Sequence, residues 1–464
     1  MVFRIVYAAV SLPILILVTV VAVYFHPLLG ALLTAQAIIT SYRPVYGVAL
    51  LFAVLPIDLV RPVFGGIYVS FSEFALAVVA SAWFLGAALQ KKRIWLAALP
   101  WALPYLGAVF LSGILNRGLI EAVAHTIRNS ELMVGLLLAV NVFAGGRQLR
   151  PARLAIAWAA VFYSFGAFLQ LSSGTRVFPF FHNPNQFGAY VNIVLPFCWS
   201  LCLTADHRRA RLGYLYVTLL LVGAQLLTMS KGSLLAMAVI LIVVFLIQRN
   251  QFWKIAYGRN FPLRRWVRNL SVHAILLFLL LPASALLLPH SRPIDRLTVL
   301  VRRLRSFVGS RTFEDRIWAL ELGSQLWSSA PIIGVGPGNY PRVIAATVEA
   351  PPEWLRIHVH NQYLQVAIEF GVLGLAALLY LFSKLTLGLI RAFRDPSSPP
   401  EARNLAAGGL GLIVGLVVHG LVDELLSNHA MEIGLLLGMA LAVLADPKRG
   451  TPSQPVASVV NEIR

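Results

Sequence analysis

The chain has 464 residues, 58% of them hydrophobic and 12% charged, with 38 lysines and arginines against 19 acids and a formal charge of +19. A mean hydropathy of +0.77 reflects many apolar runs of roughly 17 to 22 residues, the length that crosses a bilayer, so a water-soluble multidomain enzyme is excluded. Nucleic-acid binding is excluded as well, because the basic residues sit in short loops and so report membrane orientation instead of a binding face.

The predicted fold is an all-α polytopic membrane protein of about twelve to fourteen transmembrane helices with a large helical external loop. Apolar segments lie near 5–25, 28–41, 44–57, 72–89, 95–115, 126–144, 152–171, 185–204, 212–229, 231–248, 270–288, 362–391, 405–421 and 430–446. Arg4 before the first of them fits a signal sequence, but the many spans that follow favour a retained helix. The second and third segments are short and split by Tyr42-Arg43-Pro44, which suits a shallow hairpin. Cys198 and Cys202 lie four apart in one apolar run with no ligand partners nearby, and read as small buried residues.

Basic clusters at Lys91–Arg93, Arg147–Arg153, Arg208–Arg211, 249–268 and Arg391–Arg403 mark cytoplasmic loops. Alternation then assigns 58–71, 116–125, 173–184, 229–231, 290–360 and 422–429 to the external face. The expected organisation is an N-terminal bundle of transmembrane helices over 1–289, an external (periplasmic) loop over 290–361, C-terminal transmembrane helices over 362–446 and a disordered cytoplasmic tail over 447–464. Within the loop, 294–308 has helical apolar spacing opposite Arg302, Arg303 and Arg305, as in a helix lying on a membrane surface. A second helix begins near Thr312, with Glu314 and Asp315 in its first turn, and stops before the run Pro331 to Tyr340. That run holds Gly334, Gly336 and Gly338 with Pro331 and Pro337. It reads as a fixed turn shaping a cleft, not a phosphate loop, because it lacks the Lys-Ser/Thr ending.

Three patterns together resemble the O-antigen ligase and O-antigen polymerase family of bacterial envelope glycosyltransferases. They are Asp315-Arg316-x-Trp318, then Pro331-x2-Gly334-x-Gly336-x-Gly338-Asn339, then His360-Asn361-x9-Gly371-x2-Gly374. His182-Asn183-Pro184-Asn185 is similar to that family's Asn-Pro-Asn segment. The resemblance runs from about residue 170 to 440. It implies a GT-C-like enzyme in the bacterial cytoplasmic (inner) membrane with its active site facing the periplasm. Such an enzyme moves a glycan from undecaprenyl pyrophosphate to an acceptor hydroxyl, with inversion and, in the ligase branch, without a metal or other cofactor. It also implies that His360 is the essential histidine. Lys231, after Ser230, stands where the family has a phosphate-binding arginine, and keeps the charge but not the bidentate fork.

The residues themselves suit that chemistry. A pyrophosphate leaving group needs positive charge on its side of the site, for which Lys231, Arg316, Arg311 and Arg128 are candidates. An acceptor hydroxyl needs a base within hydrogen-bond reach, which a neutral His360 supplies. Asn361, Asn183, Asn185, Gly336 and Gly338 are expected to support the site, although Asn183 and Asn185 around Pro184 equally fit a helix start. Arg316 has Glu314 and Glu321 as alternative partners. A metal-dependent rival would use Asp58, or Asp423-Glu424 with His419 and His429, but a lone carboxylate rarely holds a divalent ion. The expected partners are an undecaprenyl-pyrophosphate glycan, lipid A-core or another glycan as acceptor, and membrane lipids. A ligase is favoured over a polymerase, and a lipid-linked glycan transporter is the reading from another class.

Overall fold

The computed structural model describes residues 27–54, 60–64, 67–146, 148–170, 178–179, 181–205, 207–256, 312–349 and 351–445. The expected first helix at 5–25, Asp58, the helices at 270–288 and 294–308, Arg311 and the tail lie outside them.

The chain is an all-α polytopic membrane protein. Nine helices among the described residues are long and apolar enough to cross a membrane. They are α3 (Phe71–Leu89), α4 (Leu99–Asn116), α7 (Arg150–Leu169), α8 (Pro184–Thr204), α9 (Arg208–Thr228), α10 (Lys231–Ala256, apolar to Arg249), α13 (Gln362–Arg394), α14 (Pro400–Gly420) and α15 (Leu426–Leu441). The hairpin expected around Tyr42 is present as two shorter apolar helices, α1 (Pro27–Tyr42) and α2 (Pro44–Val54). Between spans lie α5 (Leu119–Asn129), α6 (Glu131–Val142), α11 (Thr312–Ser329) and α12 (Tyr340–Thr347).

Helix α8 is the axis of the bundle, with 94% of its apolar window buried among α9, α10 and α14. Helix α15 runs along α6, and backbone nearly touches backbone there. A Cβ at Gly434 would lie 2.1 Å from the Leu132 carbonyl oxygen, and one at Gly438 would lie 2.4 Å from that of Leu136. Lipid tails offer no hydrophobic drive for helices to associate, so such close small-residue contacts carry the packing. Outward-facing Trp158, Phe162 and Phe165 on α7 present the apolar surface a bilayer requires.

One expectation is corrected. A single span at 126–144 is replaced by α5 and α6, which meet at Ser130, because Arg128, Asn129, Ser130 and Glu131 break the apolar run. The exposed Leu119, Ile120, Val123 and Ile127 give α5 an apolar face suited to the membrane surface. The 58–71 loop holds a short antiparallel hairpin, β1 (Val60–Phe64) with β2 (Ile67–Ser70), rich in β-branched and aromatic residues. The loop segments assigned to one face, where described, gather at one end of the bundle. At the other end Arg153 pairs with Glu401 at 2.8 Å, joining two of the basic loops.

Helix α13 is broken at Gly371, whose φ of 66° and ψ of −169° is a conformation open to glycine almost alone. The break lets residues 331–336 pair with 368–373 like a strand. Val335 N donates to the Ile368 carbonyl at 2.8 Å, Gly336 N to that of Glu369 at 3.0 Å and Val372 N to that of Pro331 at 2.8 Å. A Cβ at Gly371 would stand 2.0 Å from the Ile332 oxygen. Replacing Gly371 by alanine is therefore expected to cost about 3 kcal/mol or more, through forbidden backbone and overlap together. Gly107→Ala in α4, where a Cβ meets nothing within 4 Å, serves as the neutral control in thermal unfolding of the detergent-solubilised protein.

Candidate functional site

The site is built where α13 begins. Asn361 is extended, and its side-chain oxygen accepts from Tyr363 N at 3.0 Å and Leu364 N at 2.9 Å, capping the helix. Three consecutive side chains then tie this helix start to the turn between α14 and α15. His360 Nδ1 donates to Asp423 Oδ1 at 3.1 Å, Asn361 Nδ2 to the Leu421 carbonyl at 3.0 Å, and Gln362 Oε1 accepts from Leu425 N and Leu426 N at 2.9 Å each.

His360 has a φ of 56°, in the left-handed region that a non-glycine residue enters only when its surroundings hold it there. Its Nε2 donates to the Trp354 carbonyl at 2.7 Å, and the Trp354 ring lies 5.6 Å away. Both ring nitrogens thus face acceptors. Burial raises the Asp423 carboxyl, but the hydrogen bond from His360 and the neighbouring His360, His358 and His419 rings overcome this and hold it well below the usual carboxylate range. Glu424 beside it goes the other way. Burial raises its titration, only partly offset by hydrogen bonds from Ser427.

The cations divide into two groups. Arg316, on the first turns of α11, lies within electrostatic reach of Asp423 and His358. Burial lowers its titration and Asp423 raises it. Its Nη1 is buried without a hydrogen-bond partner among the described residues. Lys231 opens α10, whose first turn presses on the same α14–α15 turn; a Cβ at Gly232 would lie 2.3 Å from Val422 Cγ2. Arg128, near the end of α5, stands apart at 3.5 Å from Glu73. The alternative partners of Arg316, Glu314 and Glu321, form no ion pair with it among the described residues.

A cavity of about 480 Å³ opens beside this turn, within the range of ligand pockets. Its polar mouth is lined by His125, Arg128, His182, Asn183, His358 and Glu424, and its floor by Leu106, Phe370, Leu378 and Leu381. His360, Lys231 and Arg316 do not line it; His358, Gln362 and Glu424, beside His360 in the chain or across the clasp, do. Gly338 lines the cavity with a φ of +66°, and a Cβ there would meet the His125 ring at 2.8 Å. Gly336, at φ +100°, fits against Asn116. The amide groups of Gly338 and Tyr340 bond the Glu369 side chain, so the turn holds a carboxylate of the protein and not a ligand phosphate. Asn183 is the N-cap of α8, accepting from Asn185 N and Gln186 N at 2.9 Å each, which is the helix-start reading of that segment.

Sequence reasoning placed Asp423 only with a rival metal site. In the fold, His358, His360 and Asp423 each offer a ligand atom within 4.8 Å of the others, the one such group among the described residues. The trio could seat a divalent ion, although the nearby Arg316 charge opposes one. Burial and the adjacent His360 push the His358 ring down to about 4. Its Nδ1 accepts from His360 N at 3.3 Å. No signal in the sequence could have paired His360 with Asp423, 63 residues away.

A family model described as O-antigen ligase matches residues 216–379, from within α9 to within α13. No curated protein matches the chain. The matched stretch contains Lys231, Arg316, Gly336, Gly338, His360, Asn361, Gly371 and Gly374, while Asp423, Arg128 and Asn183 fall outside it. Residues 216–379 of this polytopic membrane protein are therefore similar to the O-antigen ligase family.

Proposed function

We propose that the protein transfers a glycan from a polyprenyl pyrophosphate, undecaprenyl pyrophosphate in bacteria, to an acceptor hydroxyl at the periplasmic face of the cytoplasmic membrane. Lipid A-core is the acceptor of the ligase reading. The observation that carries the proposal is the cavity beside the His360–Asp423 pair, polar at its mouth and apolar at its floor. A lipid-linked glycan has that same division between a hydrocarbon tail and hydroxylated sugars. Buried ionisable groups collected around one turn, from His419 to Glu432, instead of along a path through the bundle, favour a one-sided enzyme over a transporter.

In this mechanism Asp423 orients the His360 ring through Nδ1, leaving Nε2 for the substrate. The Trp354 carbonyl marks the place, 2.7 Å from Nε2, that the acceptor hydroxyl takes over. His360 can accept a proton only after Nε2 parts from that carbonyl and gives up the proton it donates there, so acceptor binding must shift the 351–358 segment. As the anomeric carbon is attacked, negative charge grows on the departing pyrophosphate. Arg316, with an Nη1 lacking an acceptor among the described residues, and Lys231 supply the compensating charge. Arg128 lies at the cavity mouth, farther along, and suits the glycan or the second phosphate. The external placement of 290–361 and the cytoplasmic placement of 447–464 belong to the same proposal.

The test is transfer by the purified full chain from a polyprenyl-pyrophosphate glycan, with lipid A-core and a second donor molecule as alternative acceptors and with chelator present. Product on lipid A-core is expected. His360→Ala should lower kcat by about a hundredfold to ten-thousandfold, and Lys231→Ala should chiefly raise KM for the donor. Elongated donor would make the enzyme a polymerase, and no transfer by folded protein would refute the proposal. Activity lost to chelator and restored by a divalent ion would reassign the His358, His360 and Asp423 trio to a metal.

His358 yields a pH prediction. Its folded titration, about 4, lies below the ordinary 6.5, so the unfolded chain binds its proton first as pH falls. The stability it contributes is full above about 6.5 and drains away toward 4. The thermal midpoint should drop between pH 7 and roughly pH 4.5, and His358→Gln should flatten that drop. An unchanged slope in the variant would refute the assignment.

A further inference from the structure

A second cavity of about 180 Å³ adjoins the first. Arg128, Glu131, His182, Gln186, Ser427 and Asn428 line both, forming a shared wall. Behind that wall lie Glu73 at the start of α3 and Glu432 and His429 at the start of α15. The carboxyl groups of Glu73 and Glu131 are hydrogen bonded to each other, and Arg128 Nε lies 3.5 Å from Glu73.

Acid-rich pockets arise for structural reasons too, but the deep end of this one lacks the donors it needs. His429 and Glu432 are only 3% and 5% exposed. His429 Nε2 donates to the Gln186 carbonyl at 3.1 Å, and in the neutral ring Nδ1 is then an acceptor. Nδ1 and Glu432 Oε2 have no hydrogen-bond partner among the described residues, and the two side chains stand 3.7 Å apart, too far to satisfy one another. Both residues line the cavity, and two buried acceptors without donors are completed by a ligand that brings them.

We infer that this annex is a subsite for one uncharged, hydroxyl-rich sugar ring of the glycan substrate. The inference rests on the proposed glycan transfer and deepens it. Vicinal hydroxyls donate to Glu432 Oε2 and His429 Nδ1 while accepting from Arg128 and the Ser70 and Ser72 hydroxyls. The volume suits a single ring and not a chain. The Glu73–Glu131 pair, which holds one proton between its two carboxyl groups, together with Glu432 and against a single arginine, disfavours a carboxylated sugar, so the annex selects by charge as well as by shape. The geometry also fits its position: a ring seated there extends from the mouth of the main cavity, away from its apolar floor.

The test reads binding separately from transfer. Saturation-transfer NMR on the full chain in nanodiscs would use the methyl glycosides of glucose, galactose, mannose and N-acetylglucosamine, with methyl glucuronide as the charged probe. At least one neutral glycoside should show saturation transfer, reduced fivefold or more in Glu432→Gln and in Glu73→Gln, while the glucuronide shows none. The variants are compared at matched thermal midpoints, so that misfolded protein is excluded. In the transfer assay Glu432→Gln should raise the donor or acceptor KM about tenfold more than it lowers kcat. Binding of a neutral glycoside without any glycan transfer would overturn the proposed function and leave the subsite standing. Active transfer with no neutral glycoside bound, with glucuronide bound equally, or with a normal KM in Glu432→Gln would overturn the subsite alone.

Discussion

Three neighbouring side chains, His360, Asn361 and Gln362, each reach across to the turn that joins α14 and α15, and the arrangement of the whole end of the bundle follows from that clasp. Asn361 does two jobs at once, capping α13 through its oxygen and holding Leu421 through its nitrogen. With its two neighbours fixed, His360 has little freedom left. Its left-handed backbone is the conformation in which its ring reaches Asp423 while Gln362 reaches Leu425. A bare buried carboxylate at position 423 would be costly, and the surrounding imidazoles are what keep it ionised.

The clasp has a counterpart on the opposite side of α13. Gly371 breaks the helix, residues 331–336 pair along the break, and the turn continues through Gly336 and Gly338 onto Asn116 and His125. Ser112 Oγ adds a hydrogen bond to the Glu369 carbonyl at 2.7 Å, and Asn116 Nδ2 one to that of Gly334 at 3.3 Å. The first turns of α13 are thereby fixed between α4 and the α14–α15 turn, and the cavity is the space left between those supports. Glycines in this region serve close approach of backbone to backbone, and the amide groups of Gly336 and Gly338 are spent on Glu369.

Much of this was legible because it is local. Asn before Pro and an apolar run announces a cap, so Asn183 was readable as a helix start. Hydropathy located all nine long spans among the described residues. What escaped was contact at a distance. Asp423 is 63 residues from His360, and the pairs Glu73–Glu131 and Gln186–His429 join parts of the chain that no periodicity links. The missed break at Ser130 has a different cause. A hydropathy window averages the apolar 132–142 with the polar residues before it and reports one span, whereas the bilayer responds to each residue at its own depth.

In the proposed transfer His360 and Asp423 act as one unit, and a double-mutant cycle on the rate of glycan transfer tests that most directly. Transfer is measured for wild type, His360→Gln, Asp423→Asn and the double variant at matched thermal stability. If Asp423 works through the His360 ring, the double variant is no slower than His360→Gln alone. If the two losses multiply, the residues act independently, and the orienting role assigned to Asp423 is contradicted.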